Sequence, residues 1–295
     1  MKVKACLKSM RLRTLPLSLA GVMLGIFIAA TRGDTSLPVI VTLVLTASLL
    51  QILSNLSNEL GDTLHGTDTD ERQGIHYSLQ DGDITIPEMK RLIFITAISC
   101  CVCGALMVFF SFGTLFGLEP ILFILLGAAA IWAAMHYTLG DNPYGYRGLG
   151  DVFVFIFFGL VSVCGSCCIC IHDLADTFEH CILPACSIGF FSIGVLNVNN
   201  TRDMKSDAAN RTTTAIKLGV TGARIYQTVL IVLGWVAMIA NTLWHGGAAW
   251  YLFTLPLFIA HLKGVWTMEG RALDKMLPML VMSTFAFSLT VGLGL

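Results

Sequence analysis

The chain has 295 residues, with 18 Lys and Arg against 19 Asp and Glu and a formal net charge of -1 at pH 7. Hydrophobic residues make up 55% and charged residues only 13%, whereas an average soluble domain has roughly 25% charged residues. This composition excludes a disordered chain and a nucleic-acid-binding protein with a basic surface. It also excludes a soluble globular domain, which needs more charge to cover its surface.

Long stretches without Asp, Glu, Lys or Arg follow one another along the chain. A helix of about 20 apolar residues crosses a bilayer, and the stretch 225–262 is long enough for two. Its polar, glycine-rich centre at 241–247 predicts a break there. We therefore predict an all-α integral membrane protein with about nine transmembrane helices. The predicted spans are 14–31, 37–58, 91–112, 120–138, 152–171, 181–198, 224–242, 248–264 and 276–294.

The positive charges of the loops predict the orientation in the membrane, because cytoplasmic loops are enriched in Lys and Arg. If the N-terminus is cytoplasmic and nine helices alternate, Arg32 is the one basic residue of the 18 that faces outward. The N-terminus and the loops that follow even-numbered helices are therefore expected in the cytoplasm.

The ten cysteines lie almost entirely within the predicted spans. The run from Cys164 to Cys170 contains a CxxC pattern, which in a polar setting can form a metal or redox site. Here the neighbours are Val, Ile, Gly and Phe. We interpret these cysteines as small residues that pack between helices.

Two polar segments of similar pattern follow the second and sixth predicted helices. In each, an Asn and an Asp lie four residues apart, Asn58 with Asp62 and Asn199 with Asp203. Residues four apart share one helical face, so each pair projects oxygens in one direction. Two such faces opposed across a cavity would form an all-oxygen site of the kind that Mg²⁺ prefers. The candidate metal ligands are Asn58, Asp62, Asp68, Asn199, Asp203 and Asp207.

Basic residues accompany both segments and predict phosphate binding, because Arg and Lys pair with phosphate oxygens. Polar side chains at helix ends inside a membrane bundle are costly and usually functional. A metal-bridged diphosphate explains this mixture of charges better than ion conduction does. The candidate diphosphate-binding residues are Arg72, Arg202, Lys205 and Arg211.

Four stretches, 11–18, 51–68, 143–155 and 199–219, carry a resemblance to a known family. The chain resembles the UbiA superfamily of intramembrane aromatic prenyltransferases. The two Asn/Asp motifs are typical of the superfamily. The run PYGYRGLGDVFVF at 143–155 is similar to the branch that prenylates 1,4-dihydroxy-2-naphthoate in menaquinone synthesis.

The resemblance implies one transmembrane domain over residues 1–295, with helices around a central cavity and Asp-motif loops at 58–72 and 199–217. It implies Mg²⁺-dependent transfer of a long isoprenoid from polyprenyl diphosphate to the naphthoate, with decarboxylation, giving demethylmenaquinone. The expected partners are the polyprenyl diphosphate, the aromatic acceptor and the lipid bilayer, with no nucleic acid and no obligate protein partner. The expected location is the bacterial cytoplasmic (inner) membrane, with the mouth of the site cytoplasmic.

Residue roles follow from the same resemblance. Asp62, Asp203 and Arg147 are expected to be catalytic. Tyr144, Tyr146 and Arg147 lie in the loop after the fourth helix, where they can cover the cavity and bind substrate. Arg147 either holds the naphthoate carboxylate or acts only as a cytoplasmic positive charge that fixes the orientation of the chain in the membrane. The chain departs from the family at Glu59, where Asp is usual, and at 210–214, which is looser than the family's Gly-Lys-Arg-Thr pattern.

Three other functions are less consistent with the sequence. A transporter or channel should place ionisable groups near the bilayer midplane, whereas these spans are almost free of charge. A UbiA-type enzyme for another aromatic acceptor, or for haem or chlorophyll, would share the Asp motifs without the 143–155 loop. A purely structural or binding protein would not need the duplicated oxygen faces.

Overall fold

The computed structural model describes residues 3–66, 76–208 and 211–295. These residues form twelve α-helices joined by short 3-10 or π-helical segments and loops. The helices are α1 Val3–Met10, α2 Leu15–Arg32, α3 Leu37–Leu64, α4 Ile86–Phe112, α5 Leu118–His136, α6 Gly150–Val154, α7 Ser166–Ile171, α8 Leu174–Arg202, α9 Met204–Asp207, α10 Thr214–His245, α11 Leu255–Thr267 and α12 Met276–Gly294.

Eight helical stretches in the described part of the chain are long and apolar enough to cross a membrane. They are Val3–Arg32, Leu37–Leu64, Ile86–Phe112, Leu118–His136, Gly150–Ile171, Leu174–Arg202, Thr214–His245 and Gly270–Gly294. The all-α, multi-pass architecture is thereby confirmed. The remaining predicted span, 248–264, is helical only from Trp250 onward, and it is divided between a 3-10 segment, Trp250–Thr254, and α11, which has 13 residues. The count of nine spans therefore stays a prediction.

Helix boundaries follow from local backbone chemistry. Thr85 and Glu88 form a capping box at the start of α4, and the helix ends at Gly113, whose φ of 70° favours glycine. Within α10, Gly219 has φ 66° and ψ 175°, which interrupts the helix near its start. The predicted span 224–242 begins just after this interruption.

Two of the four apolar cores of the described residues contain α8 and α3. In the first, the aromatic rings of Phe191 in α8, Phe258 in α11 and Phe287 in α12 pack together, with Phe191 centroids 4.6 and 5.1 Å from the other two. In the second, Leu53 and Leu56 of α3 pack with α1 and α4. Both α3 and α8 also contribute residues to the lining of the cavity.

The outer surface of the bundle is apolar. Of the 19 residues of α5, only Pro120 and Ala133 are buried, and large side chains such as Leu122 and Leu125 are exposed. Exposed apolar patches of this extent are unfavourable in water and favourable in lipid. The outer faces of α4 and α5 are therefore suited to contact with acyl chains.

Candidate active site

A cavity of about 390 Å³ lies inside the bundle. Apolar side chains such as Leu17, Leu43 and Phe157 form much of its wall. Charged and amide side chains come from the start of α2 and the ends of α3 and α8, so they meet at the same end of the bundle. The polar lining there comprises Arg11, Arg13, Thr14, Gln51, Asn55, Asn58, Asp62, Tyr77, Tyr137, Thr138, Tyr144, Asn199 and Arg211.

Asn58 and Asp62 of the first motif lie in the last two turns of α3, and both line the cavity. Thr138 donates a hydrogen bond to Asn58 Oδ1, 3.2 Å away, and so orients the amide. This contact requires a close approach at Gly61, where a Cβ would lie 2.5 Å from Thr138 Oγ1. Asp68, the third predicted ligand of this motif, lies outside the described residues.

Arg211 connects the two motifs. Its Nη2 donates to Asp62 Oδ1 at 2.9 Å, and its Nε lies 3.5 Å from Asp207 Oδ2. Its side chain is only 6% exposed. Burial alone would lower the pKa of Arg211, but the negative charges of Asp62 and Asp207 outweigh burial and raise this pKa above its ordinary value. The guanidinium therefore stays charged between two carboxylates that lie far apart in the sequence.

The second motif is arranged differently from the first. Asn199, in the last turn of α8, lines the cavity, whereas Asp203 follows the end of α8 and is not among the lining residues. Arg202 donates to both carboxylate oxygens of Asp203, at 2.9 and 2.6 Å. The same guanidinium donates to Asn199 Oδ1 at 2.9 Å and to Asp274 at 2.5 Å. Arg202 thus holds the Asp203 carboxylate next to Asn199 at the end of α8.

The loop after α5 places two tyrosines beside the motifs. The hydroxyl of Tyr144 donates to the carbonyl oxygen of Ala133 at 2.7 Å, so its ring faces the cavity and stacks on Phe153 with centroids 3.9 Å apart. Tyr146 donates from its hydroxyl to Asp62 Oδ1 at 2.9 Å. Burial raises the pKa of Tyr144, so its hydroxyl remains a neutral donor.

Glycine makes this loop conformation possible. The amide of Gly145 donates to the carbonyl oxygen of Tyr137 at 3.0 Å, and a Cβ at this position would lie 2.5 Å from that oxygen. On the other side of the loop, the amide of Thr212 donates a hydrogen bond to the carbonyl oxygen of Tyr146 at 2.9 Å. Tyr146 is therefore held between the end of α5 and the segment that carries Arg211, and the Arg211 guanidinium lies 4.7 Å from its ring centroid.

Several predicted site residues lie elsewhere. Arg147 and Lys205 are exposed and do not line the cavity. Arg72 lies outside the described residues. Glu59 is buried and does not line the cavity; its Oε1 accepts from Ser9 Oγ at 3.2 Å and from the amide of Leu79 at 2.8 Å. The departure at position 59 therefore falls on a side chain that faces α1 rather than the cavity.

Sequence reasoning missed part of the polar wall. Gln51 and Asn55 line the cavity on the same face of α3 as the first motif. Going along the helix from Gln51 to Asn55, Asn58 and Asp62, the steps are four, three and four residues, which is the spacing of one helical face. The periodicity of the sequence could therefore have identified Gln51 and Asn55. Asn55 donates to the carbonyl oxygen of Met10 and to Thr14 Oγ1, both at 2.9 Å, which fixes the start of α2 against α3.

Arg11 was also missed as a site residue. It adopts a left-handed conformation, with φ 49° and ψ 51°, and its guanidinium lies 3.6 Å from the ring centroid of Tyr77. Its Nε and Nη2 are buried and have no hydrogen-bond partner among the described residues. Buried donors of a charged group are costly without a partner. Arg11 also lines the cavity, which makes it a candidate for binding an anionic group there.

The fold and the cavity define a multi-pass helical membrane protein with an amphipathic internal site. Residues 18–287 match the model of the UbiA prenyltransferase family, and the chain belongs to that family.

Relatives that align with the chain over nearly their whole length support this assignment. The chain is 36% identical, over all of its length and 96% of the relative's, to a 1,4-dihydroxy-2-naphthoate octaprenyltransferase of Escherichia coli K12. It is 35% identical, with the same coverage, to the protein of that name from Haemophilus influenzae. Its fold resembles a UbiA homolog from Aeropyrum pernix, with a TM-score of 0.71, 15% identity and coverage of 94% of this chain and 98% of that one.

The Arg211 link can be tested by a double-mutant cycle. Arg211→Gln should lower the free energy of unfolding, because breaking a buried ion pair costs about 3–5 kcal/mol. Adding Asp62→Asn should recover part of this loss, since a neutral amide does not require the guanidinium, with a coupling of about 0.5–3 kcal/mol. The measurement is denaturant unfolding in lipid-detergent micelles. Arg147→Gln, on an exposed residue, is the matched control, and strictly additive losses would contradict a direct link.

Proposed function

We propose that the protein transfers a long-chain isoprenoid from polyprenyl diphosphate to 1,4-dihydroxy-2-naphthoate, with decarboxylation, to give demethylmenaquinone. The observation that carries this proposal is the polar end of the cavity, where Arg211 links Asp62 of α3 to Asp207 beyond α8. The names of the full-length relatives support the acceptor. The cavity combines a charged end for a diphosphate with apolar walls for an isoprenoid.

The cavity suits the ionisation of an allylic diphosphate. When the bond from carbon to oxygen breaks, negative charge develops on the leaving diphosphate, and fixed cationic groups aimed at it lower the barrier. Arg211 lines the cavity at its polar end and is the candidate for this role. The apolar wall limits the access of water to the allylic cation, so that the electron-rich naphthoate ring attacks it instead.

We propose Mg²⁺ as the cofactor. The amide and carboxylate oxygens of Asn58, Asp62 and Asn199 line one end of the cavity, and such oxygens are ligands that Mg²⁺ accepts together with water and phosphate. Asp207 and Asp203 lie beside them, each next to a guanidinium. Asp68 is proposed to complete the first motif. When bound, Mg²⁺ would neutralise the charge of the diphosphate.

Metal dependence gives the first test of this proposal. EDTA should abolish prenyl transfer by the purified protein, and Mg²⁺ should restore it. Asp62→Asn and Asp203→Asn should each reduce kcat by roughly 100-fold or more, as expected for loss of groups that act at the developing charge. Asp34→Asn, at an exposed position on the other side of the bundle, should be fully active. Undiminished turnover in chelator would rule out the metal.

Acceptor choice gives the second test. We expect 1,4-dihydroxy-2-naphthoate to be prenylated well and 4-hydroxybenzoate poorly. The second ring adds apolar area, at about 0.8 kcal/mol per buried carbon, which discriminates only modestly. A polar contact to the carboxylate should therefore contribute as well. If 4-hydroxybenzoate were the better acceptor, the protein would be a UbiA-type enzyme for another aromatic substrate.

Two arginines are candidates for the carboxylate contact. Arg147 is the candidate from the sequence, and Arg11 is the one that lines the cavity. We expect Arg11→Ala to raise the naphthoate KM by roughly 10-fold or more, the equivalent of a hydrogen bond to a charged group, with little change in the polyprenyl diphosphate KM. A larger effect of Arg147→Ala would mean that the loop at 143–149 closes over the bound acceptor. If neither variant changes the naphthoate KM, neither arginine holds the carboxylate.

We further propose that the polar end of the cavity opens to the cytoplasm of a bacterial inner membrane. The partition of Lys and Arg supports this orientation. In a background without native cysteines, cysteine at positions 68 and 205 should react with an impermeant maleimide only from the cytoplasmic side. Cysteine at position 176 should react only from the outside. Labelling of positions 68 and 205 from opposite sides would contradict a shared diphosphate site.

A further inference from the structure

A cluster of metal-binding side chains lies at the other end of the helices from the Asp motifs. Glu179 and His180 belong to the N-terminal part of α8, and His245 is the last residue of α10. One ligand atom from each of the three side chains lies within 4.8 Å of the other two. The rise of about 1.5 Å per residue places His180 roughly 28 Å along α8 from Asn199. The cluster is therefore separate from the candidate active site.

The His180 ring is oriented for metal binding. Its Nδ1 lies 3.0 Å from the carbonyl oxygen of Asp176 and 3.4 Å from the carboxylate of the same residue. Neither oxygen carries a hydrogen, so these contacts favour a proton on Nδ1, and in the neutral ring Nε2 then keeps its lone pair for a metal. A ligating histidine usually donates its other N–H to a carbonyl or carboxylate in this way.

The local charge also favours a cation. Asp173, Asp176 and Glu179 lie at the start of α8, and Arg32 neutralises one of them by donating to both oxygens of Asp176, at 2.9 and 2.5 Å. His245 lies at the C-terminus of α10, where the helix dipole is negative. A divalent ion would enter a region with surplus negative charge.

The donor set indicates which ion would bind. Two imidazole nitrogens and one carboxylate oxygen are typical zinc ligands, with a water completing the tetrahedron, whereas Mg²⁺ and Ca²⁺ prefer oxygen alone. Zn–N and Zn–O bonds of about 2.0–2.2 Å require ligand atoms about 3.3 Å apart. Glu179 is exposed and the rings of His180 and His245 are partly exposed, 4.6 Å apart between centroids, so rotation of the side chains can reach this spacing.

We propose that Glu179, His180 and His245 bind a Zn²⁺ ion that joins the outer ends of α8 and α10. The ion would stabilise the packing of these two helices. The proposal does not depend on the reaction catalysed at the other end of α8.

The test is a Zn²⁺ titration of the purified, chelator-treated protein by isothermal calorimetry. Free cysteines are first blocked with a maleimide, and excess Mg²⁺ is present to occupy all-oxygen sites. We expect one Zn²⁺ per chain with a Kd of roughly 10 µM or below, and a higher Tm with Zn²⁺. His180→Ala and His245→Ala should each weaken binding at least about 10-fold, as loss of one ligand predicts. His76→Ala, an exposed histidine outside the cluster, should bind as the parent does.

Spectroscopy provides a second readout that does not rely on stability. Cu²⁺ bound in place of Zn²⁺ should show hyperfine coupling to two imidazole nitrogens, and each His variant should remove one of them. Parent-like binding by the His180→Ala/His245→Ala double variant would overturn the proposal. The absence of binding by the parent protein, or a Cu²⁺ spectrum without nitrogen coupling, would overturn it as well.

Discussion

The ion pairs of Arg211 with Asp62 and Asp207 are the interaction on which the polar end of the cavity depends. Asp62 lies in the last turn of α3, which packs in the core with Leu53 and Leu56, and Asp207 follows α8, which packs in the core with Phe191. Arg211 therefore joins the ends of α3 and α8. Its charge is maintained because the two carboxylates outweigh the effect of burial on its pKa. Tyr146 donates to the same oxygen of Asp62 and lies against the guanidinium, which adds the loop after α5 to the cluster.

The remainder of the cavity follows from a requirement of the bilayer. Helices that cross a membrane satisfy their own backbone groups, and a polar side chain inside the bundle then needs a partner from another helix or a ligand. Asn55 and Asn58 find partners in Thr14 and Thr138. Arg11 has two buried donors without a partner among the described residues, and for this reason we assign it to an anionic substrate group.

Much of this organisation could be predicted from sequence. The charge-free stretches are long enough to identify most membrane helices, and the four-residue spacing of Asn58 and Asp62 places both on the cavity face of α3. The rule that residues four apart share a helical face was less informative for the second motif. The helix α8 ends at Arg202, before Asp203, and the Asp203 carboxylate is bound by that arginine. No periodicity of the sequence could show that Arg202 would occupy both oxygens. The position of Arg11 depends on a left-handed turn, and that of Arg147 on a loop that turns its side chain outward; both are set by tertiary contacts.

The central claim is that both Asp motifs serve one metal-diphosphate site. Its most direct test is a crystal structure with Mn²⁺ in place of Mg²⁺ and an unreactive thio-analogue of an allylic diphosphate, with the metal located by anomalous scattering. The account predicts Mn²⁺ at the polar end of the cavity, bound by oxygens from α3 and from the end of α8 and bridged by the diphosphate, with Arg211 near its oxygens. Mn²⁺ and diphosphate held by one motif alone, or located outside this cavity, would contradict the account.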